Sequence, residues 1–148
     1  MLNRFALAMI LTFALPGAMS PAQARPLNSA ALTAWLSAYG AAWQTRDAAA
    51  AGKLFTADAS YHEMPFDAPK AGRAAIEEYW RGVTADQRDV VFKSEVVAAH
   101  GKTGVAHWSA KFKVASTGAT IELDGVFVLE FDATGFCSAL REWWHVRE

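Results

Sequence analysis

The feature that most limits the fold is an alternation of apolar and polar residues through the second half of the chain. Residues 90–100, 105–115, 119–132 and 136–147 each alternate at period two, the repeat of a β-strand whose successive side chains point to opposite faces. The breaks between them are short and carry glycine: His100-Gly101-Lys102-Thr103-Gly104, Ser116-Thr117-Gly118 and Ala133-Thr134-Gly135. Such breaks between long strands predict an antiparallel meander. The first half follows another period. Leu32, Trp35, Leu36, Tyr39 and Trp43 fall at helical spacing after Ser29, a suitable N-cap, and this helix should stop near Thr45-Arg46. Asp47 can cap a second, alanine-rich helix ending around Leu54-Phe55. Residues 57–64 predict a strand, and residues 65–72, with three breakers, a loop. Ile76, Tyr79, Trp80 and Val83 mark a third helix opened after Gly72-Arg73. Three helices, one early strand and a four-strand meander make an α+β plan. With no repeat and no linker, 148 residues form one domain.

Composition narrows the function. At 53% hydrophobic and 20% charged, the chain has the apolar content to fold, which disordered segments lack. Fourteen basic residues against 15 acidic ones give a net charge of −1, with no basic run, so phosphate neutralisation is excluded as a binding mode and no nucleic-acid partner is expected. The single cysteine excludes an intrachain disulfide framework and a cysteine-built zinc cage. No serine elbow, phosphate-cradling glycine loop or dinucleotide fingerprint occurs. No His pair at helical spacing and no His-x-His occurs either, so neither a cofactor nor a metal is expected.

The first 24 residues read as an address. Arg4 supplies a basic start, residues 5–15 are apolar apart from Thr12, Pro16-Gly17 break the run, and Ala22-Gln23-Ala24 carries small residues at the positions a signal peptidase reads. The apolar run is short for a bilayer span. The expectation is a secretory signal peptide over residues 1–24, a single domain over residues 25–148, an exported, periplasmic or secreted product, and no membrane association after cleavage. Cys137 would then meet an oxidising compartment alone, as a buried thiol.

The strand faces differ. Ala106, Trp108, Ala110, Phe112 and Val114 share one face of their strand, against His107, Ser109, Lys111 and Lys113 on the other. In the next strand Val126 and Val128 alternate with Phe127, Leu129 and Phe131, so both faces are apolar. Helices cover one face of such a sheet; the other predicts a homodimer through the outer face.

Several words extend across nearly the whole of residues 25–148: Phe55-Thr56-Ala57-Asp58-Ala59, Tyr61-His62-Glu63-Met64-Pro65-Phe66, Gly72-Arg73-Ala74-Ala75-Ile76-Glu77-Glu78-Tyr79-Trp80, Leu123-Asp124-Gly125-Val126-Phe127, Phe131-Asp132-Ala133-Thr134-Gly135 and Arg141-Glu142-Trp143-Trp144-His145. With the order of elements, they make the chain resemble the nuclear transport factor 2-like superfamily and, within it, the SnoaL-like group. The resemblance implies a cone-shaped α+β fold, three helices packed on a curved, mostly antiparallel sheet, with a deep apolar pocket for a small hydrophobic molecule. The group spans isomerases, dehydratases, cyclases, epoxide hydrolases and binders, so fold alone does not select an activity. Set against ketosteroid isomerase without a gap, the chain puts the oxyanion-binding tyrosine of the first helix on Tyr39. The same register puts the base on Glu63, with Met64 competing because the word is one residue longer, and a pocket tryptophan on Trp144. The isomerase's second oxyanion donor, a protonated aspartate, falls on Phe127.

The residues themselves support a site of this kind. A carboxylate such as Glu63 in an apolar cleft beside tryptophans suits a general base, because desolvation raises its proton affinity. Its structural alternative is a strand-end glutamate, solvated or paired with Arg73. Tyr61 shares its face. Tyr39 lies in an aromatic stripe with Trp35, Leu36 and Trp43, the pattern of a core residue, yet a buried hydroxyl needs a partner. Glu142 shares a face with Trp144 and would form an acid–base pair with Glu63; its alternative is an ion pair with Arg141, Lys111 or Arg147. Trp43, Trp80, Trp108, Trp144 and Phe127 complete the candidate walls. Strict alternation turns His62, His107 and His145 outward; a bulge at Pro65 would instead make His62 the base. Asp124 is expected to serve structure, with Arg73 or a backbone amide. The expected activity is a cofactor-free isomerase, lyase or hydrolase step using the Glu63 base, and the alternative is a periplasmic binding module without turnover.

Overall fold

The computed structural model describes residues 26–147. The signal-peptide segment lies outside the described residues. Nine elements follow in order: α1 (Ser29–Thr45), α2 (Ala48–Gly52), β1 (Phe55–His62), β2 (Lys70–Ala71), α3 (Arg73–Thr84), β3 (Gln87–His100), β4 (Thr103–Val114), β5 (Thr120–Phe131) and β6 (Cys137–Val146).

The helix ends follow local chemistry. Asn28, one residue before the expected cap Ser29, accepts the Ala31 N–H at 2.9 Å through its side chain; its backbone is still extended, so Ser29 becomes the first helical residue. Arg46 closes α1 in the left-handed region at φ 57°. Asp47 accepts the Ala50 N–H at 2.9 Å and starts α2, which ends at Gly52, earlier than its composition implied. Gly72, at φ 84°, turns the chain into α3, and Arg73 donates from Nε to the Phe55 carbonyl at 3.1 Å.

The six strands form one sheet in the order β2-β1-β6-β5-β4-β3. The meander β3–β6 is antiparallel, and β1 joins β6 in parallel. The two-residue β2 lies inside the segment expected to be loop, where it pairs Ala71 with Ser60 and Lys70 with Tyr61; two residues carry no detectable period. β3 slips register between Arg88 and Val91 and again between Val96 and Ala98. Such bulges bend a strand and increase its twist. Leu32, Trp35, Leu36 and Tyr39 of α1 pack into the core with Ile76 and Trp80 of α3 and with Trp108, Phe127 and Leu140 of the sheet.

Gly125 permits the closest approach in this packing. A Cβ built there would lie 2.6 Å from the Trp143 carbonyl oxygen, 2.8 Å from Trp144 Cβ and 3.0 Å from Trp108 Cε2. Gly125→Ala is expected to destabilise the protein by about 1–3 kcal/mol through overpacking. Gly82, in the interior of α3 with open space around it, is the control: Gly82→Ala should stabilise by up to about 1 kcal/mol. Urea unfolding of both variants checks the pair, and an unchanged midpoint for Gly125→Ala would contradict the packing argument.

Candidate functional site

Between α1, α3 and the sheet lies a cavity of about 240 Å³. Its walls include Tyr39 and Trp43 from α1, Tyr61 from β1 and Glu63 from the bend just beyond it, Tyr79 and Trp80 from α3, Trp108 from β4, and Glu142 and Trp144 from β6. Eight of the nine residues picked from the sequence therefore meet at one cavity, because the period-two strands and the helical stripe direct them to the same side of the sheet. The ninth, Phe127, is corrected. It is fully buried and is not part of the lining. Trp108 stacks on it at 5.1 Å and Tyr39 meets its ring at 5.2 Å, so these two rings stand between it and the cavity.

The cavity carries a chain of hydrogen bonds. The Tyr39 and Tyr61 hydroxyls are 2.9 Å apart, and Tyr61 donates to Glu142 Oε1 at 2.8 Å. With the Tyr61 proton directed at Glu142, the Tyr39 hydroxyl donates to Tyr61 and has no proton left for a ligand. Glu142 is 5% exposed. Its suggested partners are elsewhere: Lys111 and Arg147 both pair with Glu122. Desolvation pushes the Glu142 carboxyl up to about 8, aided by the charge of Glu63 and opposed by the Tyr61 hydrogen bond. A carboxyl in this range is largely neutral at pH 7 and can donate a proton. Because Oε1 accepts from Tyr61, that proton belongs on the other oxygen, Oε2. Burial, with the charge of Glu142, also holds the hydroxyls of Tyr39 and Tyr61 protonated.

Glu63 sits at the edge. Its side chain is 24% exposed and lies 3.9 Å from Lys70 Nζ, which is also 5.0 Å from the Tyr79 ring centroid. Arg73 is spent on the Phe55 carbonyl instead. Tyr79, named in the sequence only as a helix marker, is a site residue: burial, then the carboxylates of Glu63 and Glu142, raise its pKa. Its position beside Trp80 on the third helix was the available signal. Gln87 was missed as well; it accepts from Trp43 Nε1 at 2.7 Å and fixes that indole. The indole N–H groups of Trp80 and Trp108 are buried without a hydrogen-bond partner among the described residues.

His62 and His145 are absent from the lining. His107 lies on the outer face between Glu95, at 3.4 Å, and Asp124, at 2.9 Å, so Asp124 works with a histidine rather than with Arg73. Cys137 is buried, and burial raises its thiol pKa, which keeps it protonated. Among the described residues, no group of three or more His, Cys, Asp or Glu is arranged to hold a metal ion, and no helix is long and apolar enough to cross a membrane. A wider groove of about 950 Å³ lies between the start of α1 and the β5–β6 turn. Its two titratable side chains are committed, Lys102 to Glu130 and Asp132 to Thr134 and its own turn, so it brings no acid–base pair together.

Solved structures with the same architecture have low sequence identity to this chain. A putative isomerase from Bacillus subtilis aligns with a TM-score of 0.70 at 19% identity, covering 80% of this chain and 90% of its own. The epoxide hydrolase/cyclase-like enzyme SalBIII, with a role in pyran ring formation in the polyether salinomycin, aligns at 0.67 and 19%, covering 76% and 89%. A protein of ketosteroid isomerase-like fold from Catenulispora acidiphila, solved in complex with trimethylamine, aligns at 0.65 and 18%, covering 74% and 83%. A search of curated protein sequences returned no match. The family model of the SnoaL-like domain matches residues 36–138, which contain most of α1, all of α2, α3 and β1–β5 and the start of β6, and the chain belongs to the SnoaL-like family of the nuclear transport factor 2-like superfamily.

Proposed function

We propose that this protein is an exported, cofactor-independent isomerase-type enzyme that moves a proton on a small hydrophobic carbonyl compound. Glu63 removes a proton from the carbon next to the carbonyl and returns it to a second carbon, so the base is regenerated and no atom is lost. Glu142 donates a hydrogen bond from Oε2 to the oxygen on which negative charge develops. Tyr61 and Tyr39 hold that carboxyl in place, and Trp43, Trp80, Trp108 and Trp144 exclude water. One observation carries this reading. Glu142 is the cross-strand partner of Phe127, the position where the resemblance puts the isomerase's protonated aspartate. A buried carboxyl held largely neutral therefore stands one strand away from where it was missing.

The test is the pH–rate profile for isomerisation of a β,γ-unsaturated cyclic ketone to its conjugated form, followed by ultraviolet absorbance. The rate should exceed that of buffer and fall on the alkaline side near the Glu142 value of about 8, and Glu142→Gln should abolish that fall. A rate equal to buffer, or an alkaline limb retained in the variant, would sink the assignment. A second reading, a binding module without turnover, is favoured by the Lys70 ammonium beside Glu63, which partly neutralises the base.

Export and self-association belong to the same proposal. Residues 1–24 carry the signal-peptide pattern. On the outer sheet face Trp143 and its cross-strand partner Val126 are 46% and 37% exposed, an apolar patch that fits a second copy. Native mass spectrometry of protein exported by a two-membrane host is expected to read a dimer of chains beginning at Arg25, reduced to monomer by Trp143→Lys. A wild-type monomer would remove the dimer from the proposal.

A further inference from the structure

The walls of the cavity also bear on the charge of what it takes. Among the described residues, four indoles and three phenols line it, with two carboxyl groups, Glu63 and Glu142, and no Lys, Arg or His. The nearest ammonium, Lys70 Nζ, stands at the edge and is already held by Glu63, so an anionic ligand would find no free counter-charge among these walls. The faces of aromatic rings carry negative charge density, which attracts a cation, and the attraction grows when water is excluded. The protein already uses this arrangement at the cavity's edge. The Lys70 ammonium stands 5.0 Å from the Tyr79 ring centroid and 3.9 Å from Glu63, so one carboxylate and one aromatic face together hold an organic ammonium.

We propose that the molecule selected by this cavity is a small organic cation, an ammonium head bearing short alkyl groups, seated among the indoles of Trp43, Trp80, Trp108 and Trp144. The inference rests on the cavity being the binding site, as the proposed function holds. A space of about 240 Å³ accommodates such a head together with a short carbonyl-bearing chain. Its alkyl groups satisfy the apolar walls, and its charge satisfies the ring faces.

Isothermal titration calorimetry on the purified protein tests this with two probes of the same shape: choline, and the neutral alcohol in which carbon replaces its nitrogen. Choline is expected to bind about tenfold or more tightly than the alcohol. Trp144→Leu should reduce that ratio several-fold, and Trp43→Leu, on a different element, is the second variant in case the first fails to fold. If the alcohol binds as tightly as choline, or if both folded variants keep the full ratio, the cation assignment is overturned and the cavity remains a neutral-ligand site. If neither probe binds, the cation assignment is overturned, while the proposed function stands or falls with its own isomerisation assay.

Discussion

Glu63→Gln is expected to lower kcat for the proton transfer by about two to four orders of magnitude, the usual contribution of a positioned general base. The amide is nearly isosteric with the carboxylate and still fills the position beside Tyr79, but it has no basic oxygen of comparable strength. The Lys70 ion pair is lost as well. At 3.9 Å, and with both side chains partly exposed, that pair is worth little to stability. The fold should therefore be unchanged within about 0.5 kcal/mol, and KM should move far less than kcat, because the interaction removed belongs to the transition state. An unchanged kcat would transfer the role of base elsewhere. A parallel loss of stability would show that Glu63 holds the mouth of the cavity rather than acting in it.

Glu142→Gln carries the largest expected effect on stability. Burial pushes the native carboxyl up to about 8 from the ordinary 4.5 of a glutamate. Below pH 4.5 the group is protonated in both states and contributes no pH dependence. As the pH rises from there to about 8, the native state binds the proton that the unfolded state has released, so wild-type stability falls, and above about 8 the loss is complete. The first cause of the raised value is desolvation of the charge, and glutamine has no charge to desolvate. It also keeps an oxygen to accept from Tyr61. Glu142→Gln is thus expected to match the wild type near pH 5 and to exceed it by a few kcal/mol at pH 8 and above. Urea unfolding at the two pH values measures the difference. A gap of the same size at both would mean that the carboxyl is not held neutral by burial. A more stable variant with a lost alkaline rate limb would tie stability and function to the same group, as expected where a site is maintained against the preference of the fold.

The candidate site was partly legible because several of its members obey local periods. Tyr39 and Trp43 belong to one helical stripe and Glu142 and Trp144 to one strand face, while Glu63 continues the alternation of Tyr61 one residue past the end of β1, and each pair arrives at the cavity together. Phe127 obeys the same period and still fails as a wall, because alternation gives a side and not a depth: Trp108 and Tyr39 lie over it. Tyr79 and Gln87 were not singled out because their importance comes from what other elements bring to them, Glu63 in one case and Trp43 in the other.

Sequence alone therefore determined what depends on neighbours a few residues away: the alternating strands, the helical stripes, the caps within a residue or two, and the α+β plan that these impose. Tertiary structure decided what depends on neighbours far along the chain. The Glu142 carboxyl meets Tyr61 81 positions away and faces Phe127 across a strand pair. Its proton affinity is set by the loss of water that α1, α3 and the sheet impose together. Burial depth, register and desolvation are sums over elements distant in the chain, and no local pattern of residues encodes them.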